Sequence, residues 1–436
     1  MSESGVEVEM LEAAIDGEDW QLTSRQVHLK RQKKNQTEID QFIDSEARTY
    51  TSVTAPDYYG DLLAWALETY LKRNNWEILY RLGYRNDRPD YTGIQVSAEE
   101  TLDLMTNGQL LIRQGEVRIA ATLDVTRRGA ALQLESKQAD QCQLDTFKSE
   151  IKRLISQENF YKGQKIEYTG FLHFIKPAAQ IWDSVIINPE DKEEIYLNSI
   201  HFLNNQTKFV RLGIPGKRGI LLVGEPGTGK TIICKALMSK AKGITCLTTD
   251  CYSLSQSFYV DELYKIAREL SPSIVFIEDL DLIGKSRDEF GGETATPLSA
   301  LLAALDGLEA NYGVVTIATT NLLEQLDDAL IRRPARFDRV IKLSRPDLPQ
   351  RQEIINRICR KIRLSDEVRK YLAAKTAYYT PAQLQEVIYS LVIITQAKKE
   401  GRNDLGQLTK SDIDNTLRRI YGIKDTQIGF NLARKI

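Results

Sequence analysis

Gly219-Ile220-Leu221-Leu222-Val223-Gly224-Glu225-Pro226-Gly227-Thr228-Gly229-Lys230-Thr231 is the stretch that decides the fold. Ile220 to Val223 is an apolar run of strand length, and Ile232 to Leu237 continues as a helix. Between them, Gly224 to Thr231 fits G-x-x-x-x-G-K-[ST]. The residue types follow from phosphate chemistry. Glycines let the backbone curl until its N–H groups face an anion, and the following helix adds partial positive charge. Lys230 would place a point charge on the β- and γ-phosphates, and the Thr231 hydroxyl would ligate Mg²⁺. Gly224, Glu225, Pro226, Gly227, Thr228, Gly229, Lys230 and Thr231 are therefore the candidate nucleotide-binding residues.

Further along the chain the same texture repeats. Ile274-Val275-Phe276-Ile277 ends in Glu278-Asp279, and Val314 to Ala318 ends in Thr319-Thr320-Asn321. Short all-apolar runs separated by helices signal a parallel sheet covered on both faces. In such sheets ligands sit at the carboxyl ends of the strands. One of the two acids is expected to hold Mg²⁺ through water and the other to polarise the attacking water. The Asn321 amide is placed to hydrogen-bond the γ-phosphate or that water; alone it would read as a turn residue or helix cap. Arg332, Arg333, Arg336 and Arg339 fall within eight residues. They read either as an exposed charged face or as fingers reaching a neighbouring subunit's γ-phosphate.

Taken together, GILLVGEPGTGKT, SPSIVFIEDLD, LLAALDGL, IATTN and ALIRRPARFDR, in this order, resemble the classical AAA ATPases of the AAA+ superfamily. The resemblance runs from about Trp182 to Lys424, and IWDSVIINPEDKEEI is similar to the family's opening segment beside the adenine. It implies Walker A at Gly224 to Thr231, Walker B at Glu278 and Asp279, sensor 1 at Asn321, and arginine fingers at Arg333 and Arg336. It also implies ATP and Mg²⁺ as cofactors, a helical lid after Pro346, and a homo-oligomeric ring, usually a hexamer.

Four departures stand out. Walker B reads Glu-Asp, an order shared with the mitochondrial AAA translocators that assemble respiratory complex III; Asp279 is one methylene shorter than the usual Glu, which leaves room for slow hydrolysis. Ala335 replaces a glycine between the arginines. The lid's usual Gly-Ala-Asp-Leu becomes Tyr379 to Leu384, with Pro381 at a position a helix start tolerates. Threading members carry an aromatic–aliphatic–glycine triplet, whereas Cys251 to Tyr259 has aromatics with no glycine after them. Tyr252, Phe258 and Tyr259 read equally as substrate grips or as packing.

Before residue 180 the chain resembles no family. Residues 1–55 read as a polar arm, acidic and then basic at Lys30, Arg31, Lys33 and Lys34. Residues 56–178 read as a separate α+β module. A helix with Leu63, Ala66, Leu67, Tyr70 and Leu71 on one face leads to antiparallel strands around Leu110 to Leu134, turning at Gln114-Gly115 and Arg128-Gly129. A helix around Phe147, Ile151, Leu154 and Ile155 and a strand in GFLHFIK follow. The expected fold is thus an α/β parallel sheet of the P-loop AAA+ type (179–345) with a helical lid (346–436), behind that module.

Composition narrows the function. A net charge of −2 gives no whole-chain attraction to nucleic acid or an anionic surface, so a nucleic-acid contact would rest on the local basic run. No apolar run approaches the roughly 18 residues of a membrane span, and the acidic N-terminus lacks export signals, so a cytoplasmic location is expected. The five cysteines lack metal-ligand spacing and read as buried free thiols. No HExxH motif occurs, which argues against an AAA protease. The leading expectation is an ATP-driven remodeller of a protein client recruited by the N-terminal module. The alternatives are a nucleic-acid-directed loader and a slow-hydrolysing nucleotide switch.

Overall fold

The computed structural model describes residues 24–83, 88–126, 129–176, 181–281, 297–306, 312–321, 336–362, 364–397 and 408–421. These form two compact units, one of Met1–Lys162 with Gly170–Phe174, the other of Gly163–Thr169 with Ile175–Ile436.

In the first unit, α1 (Ser24–Ile43) precedes β1 (Arg48–Ala55), α2 (Gly60–Arg73), β2 (Glu77–Leu82), β3 (Asp90–Gln95), β4 (Thr101–Gln114), β5 (Val117–Thr126), β6 (Gly129–Lys137) and α3 (Gln141–Gln157). The antiparallel sheet runs β1-β6-β5-β4-β2, with β3 also on β4. The expected turn at Gln114-Gly115 joins β4 to β5, where Gly115 takes the left-handed φ of 59° that it demands, and β5 pairs with β6 beside the second expected turn, whose Arg128 lies outside the described residues. Helix α2 buries Leu63, Ala66, Leu67, Tyr70 and Leu71, and α3 buries Phe147, Ile151 and Leu154. The Tyr70 and Phe147 rings meet at 4.3 Å.

The polar arm expected over residues 1–55 differs from what is found. Residues 24–43 are helical, Ile39 and Ile43 pack on Leu111 and Ala120, and β1 is a full edge strand paired with β6. RTYTSVTA alternates buried and exposed positions, but its threonines and serine hide that alternation from a hydrophobicity reading.

Two short strands follow, β7 (Lys165–Tyr168) of the second unit and β8 (Leu172–Phe174) of the first. The second unit continues with α4 (Pro189–Tyr196), β9 (Lys217–Val223), α5 (Lys230–Lys240), β10 (Thr245–Asp250), α6 (Ser257–Glu269), β11 (Ser273–Glu278), α7 (Pro297–Asp306), β12 (Val314–Thr320) and β13 (Arg339–Lys342). Its strands lie in the order β13-β9-β12-β11-β10-β7, all parallel. Short of the break expected near residue 178, the chain alternates between the units: Lys165 to Glu167 pair with Cys246 to Thr248, whereas Gly170–Phe174 belong to the first unit. The Lys165 ammonium fastens this edge by donating to the Ala241 and Ile244 carbonyls at 2.6 and 2.8 Å.

Helices α8 (Leu348–Ile358), α9 (Asp366–Lys375), α10 (Pro381–Ala397) and α11 (Lys410–Tyr421) follow Pro346 and share a core of Ile355, Leu372, Leu384, Val387, Ile388, Leu391, Ile413 and Leu417. Thr380 and Gln383 bond each other's amides through their side chains, which starts α10 at Pro381 despite the proline.

Candidate nucleotide site

Strand register assembles the site. β9 pairs with β12 so that Val223 lies opposite Thr320, and β12 pairs with β11 so that Ala318 lies opposite Ile277. Three adjacent strands therefore end at one edge, and their first residues beyond the buried stretch are Gly224, Asn321 and Glu278. Strand order reverses around β9, with later strands on both sides, which opens the crevice where ligands sit in such sheets.

Three glycines shape the loop. Gly227 and Gly229 hold φ of 84° and 105°, and a Cβ on Gly224 would stand 2.8 Å from the Leu343 carbonyl and the Thr228 hydroxyl. Lys230, the first residue of α5, is buried, and its ammonium donates to the Gly224 and Glu225 carbonyls at 2.6 and 3.2 Å and to Asn321 Oδ1 at 2.8 Å. Burial pulls its pKa below the ordinary lysine range, while Asp279 and Asp281 pull it back up. A desolvated cation at the mouth of a glycine loop gains from an arriving anion, so the cradle fits a nucleotide's phosphates.

The two acids separate by position. The Thr231 hydroxyl donates to Glu278 Oε2 at 3.1 Å, and a hydroxyl beside a carboxylate is a hard-oxygen pair suited to Mg²⁺. Asp279 is exposed, and its Oδ1 accepts from Asn321 Nδ2 at 3.3 Å. Its φ of 54° lies in the left-handed region, which costs a non-glycine residue about 1 kcal/mol. Its amide donates to the Thr319 hydroxyl at 3.1 Å, which holds that conformation.

Several residues here escaped the sequence reading. Asp281 is buried and accepts from the Thr320 hydroxyl at 3.0 Å and the Asn321 amide at 3.1 Å, so it fixes the asparagine from beneath. Arg345 donates twice to Glu225 Oε2, at 3.0 and 2.7 Å, tying the loop to the chain that enters the lid. Neither residue type marks its role locally; the Asp in IEDLD is the one hint. From the lid, the Ala382 amide donates to the Gly227 carbonyl at 3.2 Å. A pocket beside the loop is lined by Ile186, Ile187, Asn188, Asp191, Thr228, Leu343, Ser344, Pro346, Gln350 and Pro381. It includes part of the opening segment that the resemblance put beside the adenine.

Residues 220–345 match the family described as "ATPase family associated with various cellular activities (AAA)". The chain carries an AAA ATPase domain. The FtsH "ATP-dependent zinc metalloprotease" of Clostridium perfringens is 37% identical over 232 residues, covering 50% of this chain and 31% of that protein. The mitochondrial FTSH 8 of Oryza sativa subsp. japonica is 34% identical over 247 residues, covering 53% and 29%. FtsH of Acaryochloris marina is 33% identical over 257 residues, covering 55% and 37%. The chain thus spans about a third of the length of these relatives, and AAA proteins of this kind use ATP with Mg²⁺.

The remaining expected residues do not all reach the AAA site. Arg336 is buried and engages Asp306 at the end of α7 with two bonds, 2.7 and 2.5 Å. Arg333, with Arg332, lies outside the described residues. In the segment after β10, Tyr252 and Phe258 are exposed, whereas Tyr259 meets Phe258 at 4.0 Å and Tyr168 at 6.4 Å. Cys234, Cys246, Cys251 and Cys359 are buried free thiols as expected, and Cys142 is an exposed one. No helix among the described residues is long and apolar enough to cross a membrane.

Proposed function

We propose that this chain hydrolyses ATP to ADP and phosphate and uses the cycle to remodel or release a protein partner recruited by its N-terminal residues. One juxtaposition carries the reading: Thr231 with Glu278 on one side of the loop mouth, Lys230 with Asn321 and Asp279 on the other. Bound Mg²⁺ would supply charge neutralisation of the phosphates, with Thr231 and Glu278 to hold it. Lys230 binds and orients the phosphate end, Asn321 orients, and Asp279 polarises water at the exposed side. The acids thereby keep positional roles although their order is inverted, and the short Asp279 favours modest turnover.

A hexameric ring acting in the cytoplasm, with Arg333 and Arg336 as fingers across its interfaces, completes the proposal. The self-paired Arg336 must then release Asp306 or act through it. The relatives' name includes a zinc metalloprotease activity, but the similarity covers only about half of this chain and its 436 residues hold no HExxH. Proteolysis is therefore not carried over.

Asp279→Asn should retain Mg²⁺-dependent ATP binding and lose turnover by about 10²–10⁴. Glu278→Gln should weaken the metal-dependent part of binding. Calorimetry with and without Mg²⁺, beside a phosphate-release assay, reads both. Full activity in both variants would overturn the hydrolytic reading.

A further inference from the structure

The pocket beside the loop holds a group that the phosphate chemistry leaves unused. Asp191 lies in the first turn of α4 and lines the same pocket as Thr228 of the loop. Of the other polar side chains there, Ser344 is exposed, and Asn188, Gln350 and Thr228 each have an oxygen engaged. Asn188 Oδ1 accepts from the Glu190 amide at 3.0 Å, and Gln350 Oε1 from the Asp347 amide at 3.0 Å. The Thr228 hydroxyl donates to the Glu225 carbonyl at 2.8 Å. Asp191 has no hydrogen bond or ion pair among the described residues. The neighbouring Lys192 turns away from it, donating to the Asp183 and Val185 carbonyls at 3.3 and 2.8 Å.

This carboxylate is half-buried, and burial, with the Glu190 charge behind it, pushes its pKa above the ordinary range. A helix N-terminus alone would lower it. Asp191 is thus a strong acceptor short of a donor, beside a slot whose walls include Ile186, Ile187 and Leu343. Such walls suit the faces of a purine ring, whose identity is then set by the groups at its edge. Adenine carries an amino group at position 6, where guanine and hypoxanthine carry a carbonyl oxygen.

We propose that Asp191 reads the 6-amino group of adenine and is the residue that makes this site select ATP over other purine triphosphates. The inference rests on the pocket being the base end of the ATP site described above. A hydrogen bond to a charged group adds roughly ten- to a hundredfold in affinity. A carbonyl oxygen set against the same carboxylate is repelled.

The test is calorimetric binding to the full chain, with Mg²⁺, of ATP, inosine triphosphate, GTP and purine riboside triphosphate, which has hydrogen at position 6. Wild type should bind ATP about ten- to a hundredfold more tightly than purine riboside triphosphate, and the oxygen-bearing purines more weakly still. Asp191→Ala should bring ATP within about threefold of purine riboside triphosphate while leaving the latter's affinity unchanged. Asp191→Asn, which keeps the shape and an acceptor, should fall between. An undiminished ATP preference in Asp191→Ala, equal weakening of both nucleotides, or a wild-type preference for GTP would overturn the assignment. Lys230→Ala separates this failure from that of the site itself, because it should weaken all four nucleotides alike. If it leaves them all bound as in wild type, the phosphate site is what has been misplaced.

Discussion

In the parallel sheet, β11 and β12 are buried from their first residue to at least their next-to-last, and β9 from its third residue onward, with the polar residues gathering just beyond the ends. In the antiparallel sheet, β1 and β6 alternate buried and less buried positions along their whole length. Tyr50, Tyr80 and Tyr91 are exposed there on three different strands. Helices on both faces leave a parallel strand nowhere to present chemistry except its end, so its functional groups converge on one edge. A sheet with a partly open face spreads its polar groups over an area, and no constellation forms. Single substitutions should therefore be drastic at the first edge and mild on the second face.

The largest effect is expected at the arginines proposed as fingers. Arg333→Ala should lower ATP turnover by about 10³–10⁵ with the melting temperature unchanged, as for a finger acting in trans. Arg336→Ala should lower both, because it also removes the two bonds to Asp306. Turnover that rises with protein concentration, and partial rescue on mixing Arg333→Ala with Lys230→Ala subunits, would tie these residues to an interface. Concentration-independent activity without rescue would remove the ring from the account.

Lys230→Ala comes next. Removing the cation from a desolvated phosphate site should weaken ATP binding by about 10²-fold or more. Thermal stabilisation by excess nucleotide should disappear with it. Unchanged stabilisation would show that the glycine loop is not where nucleotide binds.

The boundary between the two sheets offers a smaller, more discriminating measurement. A chain starting at Gly163 keeps β7 on the parallel sheet, whereas one starting at residue 179 loses it along with the Lys165 hydrogen bonds. The longer form should keep basal turnover within about twofold. The shorter should melt about 2–8 °C lower than the longer, the shift expected from a loss of one to two kcal/mol in a domain this size. Equal melting temperatures would return the boundary to residue 178.

The least effect is predicted on the antiparallel face. Tyr50→Ala, Tyr80→Ala and Tyr91→Ala should each leave basal turnover within about twofold, since exposed substitutions usually shift stability by no more than about 0.5 kcal/mol. A tenfold loss in any of them would mean that this face takes part in the ATPase cycle.

The sequence by itself marked the glycine loop and the parallel strands, and it singled out Lys230, Thr231, Glu278, Asp279 and Asn321 as candidates, which the fold brings to one edge. Each of those signals is local: a run of apolar residues ended by a residue type the chemistry needs. It also marked α2, the β4 to β6 hairpins and α3, where periodicity is strong. Tertiary structure alone decided that β7 belongs to the second sheet, that β1 closes the first, and that Arg336 holds Asp306. It likewise set Asp281 under Asn321, Arg345 against Glu225, and Asp191 in the pocket wall. These are pairings between residues 30 to 120 positions apart, or of side chains with no unusual neighbours in sequence. A strand's partner depends on which backbone groups remain free once the core has collapsed, and a carboxylate's role depends on what it faces. Neither quantity exists until the chain is folded.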